Sequence, residues 1–520
     1  MNIGSFLAEA ARTYPGRAAL TRGTTTRTYA ELHARAGAFA AALSEAGLRR
    51  GDRVVVWSHN RPEVVETYFA CWHIGLVVVP VNAKVTVDEV AFHISDSRAT
   101  ALVYSEDFAD GAASIPGVRR IGIGPEYEAL LARHQDASQG GVEVVDVAPD
   151  TPAWLFYTSG TTGRPKGAIL THANLAFMVV SWCADLHQLQ PEDVVLHCAP
   201  LSHGAGFHAL VTVARGAHAL VHDRFDPAVV LDAIAAHRVT ATWLVPTQIR
   251  MLLDHPSLAT ADLSSLTHIV YGGAPMHAAD LAEAVKRIGP VFVQLYGQGE
   301  SPMTITYLRR EEHRPDRPDT EVLTSTGVAR TAMEVRVVDA DGVAVAPREA
   351  GEIIVRGPAV MTGYWNRPDA TAESLRDGWL HTGDVGMLDE RGYLYVLDRM
   401  KDLIITGGSN VYAREVEEVL LRHPAVHEVA VFGVPDRTWG ELVVGAVVPD
   451  TEVDPDELIV FCRERMTSFK RPRRIHVLDA LPRNAYGKVL KRELRAQLGA
   501  GGTGPDHRAT STKTLLPEHP

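Results

Sequence analysis

Between residues 25 and 140 the apolar positions of this chain alternate between two rhythms. Residues 34–46 and 62–71 carry them at helical spacing, whereas Arg53–Trp57, 76–80 and 101–104 are short β-branched runs. Strand, helix and strand in that order are a βαβ rhythm, which predicts a largely parallel sheet. The rhythm continues through Val194–His197, 217–222, 241–246, His268–Tyr271 and 291–296, with glycine-rich turns after several strands. Ligands in such sheets sit at the carboxyl ends of the strands. From about residue 335 the texture changes to short strands and turns, 352–356 and 393–397, predicting a more antiparallel subdomain. A second α+β unit is expected from near residue 401. It has a helix over 411–423, strands over 426–433 and 442–448 and a helix over 455–466. No internal repeat is visible.

Length and composition narrow the class. A chain of 520 residues exceeds one simple core, and 46% hydrophobic with 22% charged residues is a globular balance. A formal charge of −12 disfavours nucleic acid as a main partner. Cys71, Cys183, Cys198 and Cys462 form no C-x-x-C pair, so neither a disulfide framework nor a zinc site is expected and a reducing cytoplasm fits. The start of the chain lacks a basic region and carries Glu9, so no signal peptide is read there, and no apolar run reaches membrane-spanning length. Residues 499–520 begin glycine-rich, turn polar, and are expected to be disordered.

The densest chemistry lies at Thr158-Ser159-Gly160-Thr161-Thr162-Gly163-Arg164-Pro165-Lys166-Gly167. Glycines let backbone N–H groups approach an anion, hydroxyls donate to phosphate oxygens, and cations neutralise charge. The spacing is not that of a Walker A loop. A flexible turn explains the glycines but not the ordered hydroxyls and cations.

This loop resembles the signature of the adenylate-forming superfamily, which holds acyl-CoA synthetases, luciferases and peptide-synthetase adenylation domains. The resemblance runs from about Phe6 to Leu498, and further motifs follow in the family order, beginning with Thr28-Tyr29-Ala30-Glu31-Leu32 and Gly51-Asp52-Arg53-Val54. It implies an α/β fold in which a large N-terminal domain (1–398) of mixed, largely parallel sheets with helices carries a small antiparallel subdomain. A hinge (399–402) and a smaller, mobile α+β C-terminal domain (403–498) follow.

The resemblance also implies roles, residue by residue. In Tyr296-Gly297-Gln298-Gly299-Glu300, Glu300 would help hold Mg²⁺ on ATP phosphates, and Tyr296 and Gly297 would lie by the adenine and acyl group. The family usually has Thr where this chain has Gly299. Its hydroxyl is a phosphate donor, so Gly299→Thr is expected to preserve or improve ATP use, with a water or Ser301 as substitute donor in its absence; if Gly299 instead makes room for an unusual substrate or acceptor, the same change is expected to cut turnover and leave ATP binding intact. Gly272, Gly273 and Ala274 would line the adenine and acyl pocket. His203, in Pro200-Leu201-Ser202-His203-Gly204, would border the acyl carboxylate. By motif offset His203, Ala205, Tyr271, Gly272, Gly297, Ser301, Pro302 and Met303 would form the acid pocket. Tyr271 and Met303 would shorten it, and Ala205 would widen it near the entrance. Asp384 and Arg399 would reach the ribose, although by themselves both read equally well as surface charges. Lys401 falls at the hinge. Gly407 and Gly408 would keep a pantetheine channel open, and Lys470 and Arg471 would meet CoA phosphates, or simply form a solvated basic turn. Lys488, in Tyr486-Gly487-Lys488, would bridge the carboxylate and the α-phosphate.

The function so implied is ATP-dependent activation of a small-molecule carboxylate to an acyl-adenylate, then transfer to CoA, with Mg²⁺ as the ion. A medium-chain or aryl acid is favoured, and a monomer or homodimer is expected. One alternative keeps adenylation and changes the acceptor to an amine, a freestanding carrier protein or nitrogen chemistry. Another is a nucleotide-binding protein without turnover.

Overall fold

The computed structural model describes residues 1–134, 143–158, 164–274, 276–314, 321–483 and 489–499. They fall into two compact units. The first holds residues 1–336, 354–382 and 388–395. The second holds 337–353, 383–387 and the chain from Val396 onward.

Two sheets dominate the first unit. One has six strands in the spatial order Arg119–Ile123, Ala101–Ser105, Arg53–Trp57, Val77–Val81, Pro152–Thr158 and Lys166–Thr171. All neighbours are parallel except the last pair, an antiparallel hairpin. Val54, Val55 and Val56 are at most 2% exposed, as befits a strand covered on both faces. The other sheet has nine strands. Its parallel centre is Phe292–Gln298, His268–Tyr271, Ala241–Leu244, Val194–His197, His218–Val221 and Ala18–Arg22. Antiparallel strands close both ends, Ser301–Leu308 and Val328–Ala329 at one and Thr25–Thr28 at the other. Leu196, Leu244, Ile269, Tyr271 and Phe292 of this sheet pack with Ile234, Leu252 and Leu281 of its helices into one apolar cluster.

Local chemistry sets the helix starts. The helix Tyr29–Glu45 begins five residues before the expected 34 because Thr28 and Glu31 form a reciprocal capping box. Thr171 and Asn174 do the same for His172–Asp185, the helix that follows the glycine-rich loop's hairpin.

The second unit contains a five-stranded sheet in the order Ser409–Val411, Ile404–Thr406, Gly440–Pro449 and Val426–Asp436, with Arg474–Val477 parallel to Gly440–Pro449. Its strands alternate faces. Val431 and Val443 pack with Val416, Leu420 and Leu458, while Phe432 and Val444 pack with Leu481 and Leu494. The expected helices are present but shorter, Ala413–Leu420 and Pro455–Arg463. The fold class is therefore the one expected. Among the described residues no helix is long and apolar enough to cross a membrane, and all four cysteines are free.

Candidate active site

In the first unit, two antiparallel hairpins bring the phosphate-loop motif and the Glu300 motif together. Thr158 pairs with Lys166, so those two residues flank the loop. The loop's own candidates Ser159, Gly160, Thr161, Thr162 and Gly163 lie outside the described residues, as does Lys488. The Thr158 hydroxyl donates to Glu300 Oε1 at 2.9 Å, and the Tyr364 hydroxyl donates to the same oxygen at 2.7 Å. Glu300 is 8% exposed, and its Oε2 accepts no hydrogen bond from the described residues. The Lys166 ammonium sits 4.3 Å from the centre of the Tyr364 ring. Burial first, and then Glu300, pushes the Tyr364 phenol upward, so it stays a donor. Tyr364 was missed by sequence reasoning, because nothing in its spacing ties it to a carboxylate 64 residues away.

His203 is the residue before the helix Gly204–Ala214. Its Nδ1 meets the Ser202 hydroxyl at 2.9 Å, and its ring takes an edge contact from Phe156 at 5.4 Å. Burial, with a smaller contribution from His93, pushes the imidazole down to about 4, so the ring is neutral near pH 7. Phe156 also explains Gly299. A Cβ there would lie 2.5 Å from Phe156 Cδ1 and 2.4 Å from Thr158 Cγ2. Gly299 is not in the left-handed region, so the demand is for space. The expectation that Thr fits at 299 is corrected by this crowding.

The remaining pocket candidates divide. A Cβ on Gly204 would stand 3.0 Å from both Met303 Cε and Trp243 Cζ2, and one on Gly273 would stand 3.7 Å from Trp243 Cη2. Gly297 lets the backbone pass Met303, whose N would be 2.6 Å from an added Cβ, and Gly272 lies as close to the Leu295 carbonyl. Met303 has φ 61°, and Arg330 holds its carbonyl at 2.7 Å. Thus Thr158, Lys166, His203, Gly273, Gly297, Glu300 and Met303 share one neighbourhood, at the carboxyl edge of the parallel strands. Tyr296 is half-buried at the end of its strand, Ala274 is exposed and Pro302 is buried in the Ser301–Leu308 strand. Tyr271 does not join the group: it is fully buried in the apolar cluster, with its hydroxyl 3.0 Å from His313 Nε2. Ala205 is 1% exposed, which leaves its methyl no part in widening an entrance. The Ser301 hydroxyl is 3.0 Å from that of Thr304, inside the protein, so it does not stand in for a phosphate donor.

The second unit holds the other candidates. Asp384 is 5% exposed, and Arg399 Nε lies 3.4 Å from its Oδ1. Two residues that read as isolated surface charges are therefore a pair. Asp398 accepts the backbone N–H groups of Arg399 and Ala413 at 2.7 Å each, which satisfies the start of the Ala413–Leu420 helix. Lys401 is exposed in a short 3₁₀ turn, with its ammonium pushed downward by partial burial and then by Arg399. Gly407 and Gly408, at φ 57° and 78°, form the two-residue turn between Ile404–Thr406 and Ser409–Val411. Trp439 packs against Gly407, with the Arg473 guanidinium 5.5 Å from its ring centre. Lys470 is ion-paired with both carboxylate oxygens of Glu415, and Arg471 donates to the Met466 carbonyl.

Comparison with known proteins accounts for both units. A family model described as AMP-binding enzyme matches residues 7–365, and one described as AMP-binding enzyme C-terminal domain matches 415–488. A feruloyl-CoA synthase from Amycolatopsis sp is 40% identical over 501 residues, covering 96% of this chain and 99% of that one. The amide bond synthetase McbA from Marinactinospora thermotolerans is 32% identical with a TM-score of 0.86, covering 95% and 99% of the two chains. The o-succinylbenzoate CoA synthetase MenE from Bacillus subtilis, solved with an acyl-adenylate intermediate, is 34% identical with a TM-score of 0.83, covering 98% and 99%. With a family model over more than half its length and a 40% identical relative matched nearly end to end, the chain belongs to the adenylate-forming, AMP-binding enzyme family, in its acyl-CoA synthetase branch.

Proposed function

We propose that this enzyme activates a carboxylic acid with ATP, forming an acyl-adenylate and pyrophosphate, and then transfers the acyl group to the thiol of CoA with release of AMP. The observation that carries the reading is the Thr158–Glu300 hydrogen bond, which joins the end of the phosphate-loop strand to the carboxylate beside it. One carboxylate is enough for Mg²⁺ when phosphate oxygens and waters complete the shell, and Glu300 Oε2 fits that need. A bound Mg²⁺ would neutralise phosphate charge. Thr158, Lys166 and the loop 159–163 bind the phosphates. Neutral His203 borders the acid's carboxylate, and Gly272, Gly273, Tyr296 and Gly297 accept the adenine. Asp384 and Arg399 hold the ribose, and Lys488 supplies positive charge to the phosphorus under attack. Domain 1–398 and domain 403–498 alternate about Lys401, and Gly407, Gly408, Lys470 and Arg471 serve the thiol half-reaction.

The feruloyl-CoA synthase relative supports an aryl acid and CoA as acceptor. The likeness to an amide bond synthetase supports a second reading in which an amine takes the acyl group. Pyrophosphate release over a panel of aryl and alkyl acids, with CoA, an amine or neither, tests both. The first reading expects acid-dependent pyrophosphate and a CoA-dependent thioester. A product that forms with amine but not with CoA gives the second. Pyrophosphate from no acid overturns both.

A further inference from the structure

Trp243 belongs to no motif that points to it, yet it stands in the acid-binding neighbourhood. It is the third residue of Ala241–Leu244, a central strand of the nine-stranded sheet, at the carboxyl edge where Gly272 and Gly273 follow the neighbouring strand His268–Tyr271. The benzo edge of its indole faces two glycines that have no side chain to oppose it. Cζ2 and Cη2 would be 3.0 and 3.2 Å from a Cβ on Gly204, and Cη2 would be 3.7 Å from one on Gly273. Met303 Cε would also lie 3.0 Å from a Cβ on Gly204. Trp243 is 92% buried, since 8% of it is exposed. Its Nε1, two bonds from Cζ2, is buried and has no hydrogen-bond partner among the described residues.

A buried indole N–H normally finds an acceptor. Several tryptophans of this chain lack one, but Trp57, Trp154, Trp182 and Trp365 do not stand against the Gly204 and Gly273 wall. We propose that Trp243 forms the far wall of the acid site and donates its indole N–H to an oxygen of the acid remote from the reacting carboxylate. The inference rests on the carboxylate-activating reading above and narrows its substrate. The rings of Trp243, Phe156 and His203, set around glycines, favour a flat ring. The orphan donor favours a ring bearing an ether, hydroxyl or carbonyl oxygen over a plain hydrocarbon. A site with an unmet polar group discriminates strongly against an analogue lacking the partner.

The test compares para-methoxycinnamate with para-ethylcinnamate, near-isosteres that differ by one acceptor oxygen, and with octanoate, by acid-dependent pyrophosphate release. The wild type is expected to favour the methoxy acid in kcat/KM by about tenfold. Trp243→Phe keeps an aromatic wall and removes the donor, and should bring the two ring acids within about twofold of each other. Trp243→Leu checks the wall, and should raise octanoate relative to both ring acids. A merely structural tryptophan would lower all three acids together and leave the methoxy-to-ethyl ratio unmoved. That result, or a wild type that prefers octanoate, overturns the inference while leaving acid activation standing. Absence of pyrophosphate with every acid overturns the activating reading itself, and this one with it.

Discussion

Glycine is used in opposite ways at the first unit's candidate site and at Gly408 in the second unit. In the first, Gly297 and Gly299 are needed because no atom fits where a Cβ would be: Met303 N, Thr158 Cγ2 and Phe156 Cδ1 all stand at 2.4–2.6 Å. In the second, Gly408 has nothing within 4 Å of the same position, and what it supplies is a φ of 78°. The titratable groups divide likewise. Seven histidines of the first unit, His73, His172, His187, His197, His203, His268 and His313, are held by burial at values of about 3 or 4. In the second unit His476 is lowered by burial, without so large a displacement. The first unit is thus a crowded, neutralised surround for a reaction, and the second presents its groups on turns and paired charges. Substitution at Gly297 or Gly299 should register as lost space, and at Gly408 as lost conformation.

Acid should break the comparison most visibly. A histidine whose folded value lies below its unfolded 6.5 leaves the unfolded state binding more protons between those two values. Stability is then complete above pH 6.5 and is lost as pH falls towards 4. For one such group the loss between pH 6.5 and 5 is about 2 kcal/mol, and seven share the first unit. Calorimetry should show the first unit's transition falling by about 10 °C or more between pH 7 and pH 5, with the second unit's moving far less. Equal movement of both would mean that the histidines are not buried as described.

Next in size is Lys488→Ala. If this lysine acts on the α-phosphate, acid-dependent pyrophosphate release should drop by roughly 10²–10³-fold. Conversion of supplied acyl-adenylate and CoA to thioester should continue, and both thermal transitions should stay in place. An equal fall in the two half-reactions would remove Lys488 from the first one.

Much of this organisation was legible because βαβ rhythm and motif order both report local chemistry. The strands Arg53–Trp57, Val194–His197 and His268–Tyr271 were read within their observed bounds, and both β-rich cores of the second unit follow period-two alternation. What escaped depends on contacts distant in sequence. Ser301–Leu308 is buried at all eight positions, and Pro302 at its start masks the apolar–threonine alternation of residues 303–307. Tyr364 on Glu300, Trp243 against Gly204 and Arg399 on Asp384 join segments that no spacing rule connects. Tyr271 lay in the right motif but on the wrong face. With the side-chain period of a strand at two, a motif offset alone does not say which side of the sheet a residue takes.

The space argument is sharpened by Gly299→Thr. Two sub-3 Å contacts with a ring and a strand methyl force Phe156 or Thr158 to move, and Phe156 carries the edge contact to His203. Overpacking of this kind costs about 2 kcal/mol, and pyrophosphate release should fall by about tenfold despite the added hydroxyl. Phe156→Ala in the same chain removes the ring contact. The double variant should recover part of the stability lost by Gly299→Thr, a positive coupling that a double-mutant cycle in urea reads directly. A Gly299→Thr enzyme as stable and active as the wild type would show that Gly299 is not there for space.

The smallest effect is expected at Gly408, and it isolates conformation from space. An Ala Cβ would meet nothing within 4 Å, so any cost must come from φ alone. An L-residue in the left-handed region costs about 1 kcal/mol, which for a unit of this size is about 5 °C in its transition. Gly408→Ala should therefore lower the second unit's transition by that amount and leave the first unit's unmoved. Gly408→Asn tolerates the left-handed region through its short polar side chain and should regain most of the loss, although Asn is the larger residue. Acid-dependent pyrophosphate release should match the wild type in both variants. If Asn is worse than Ala, bulk rather than φ is limiting. The turn would then be crowded like the Phe156–Gly299 contact, and the contrast between the two units would fail at the position where it is cleanest.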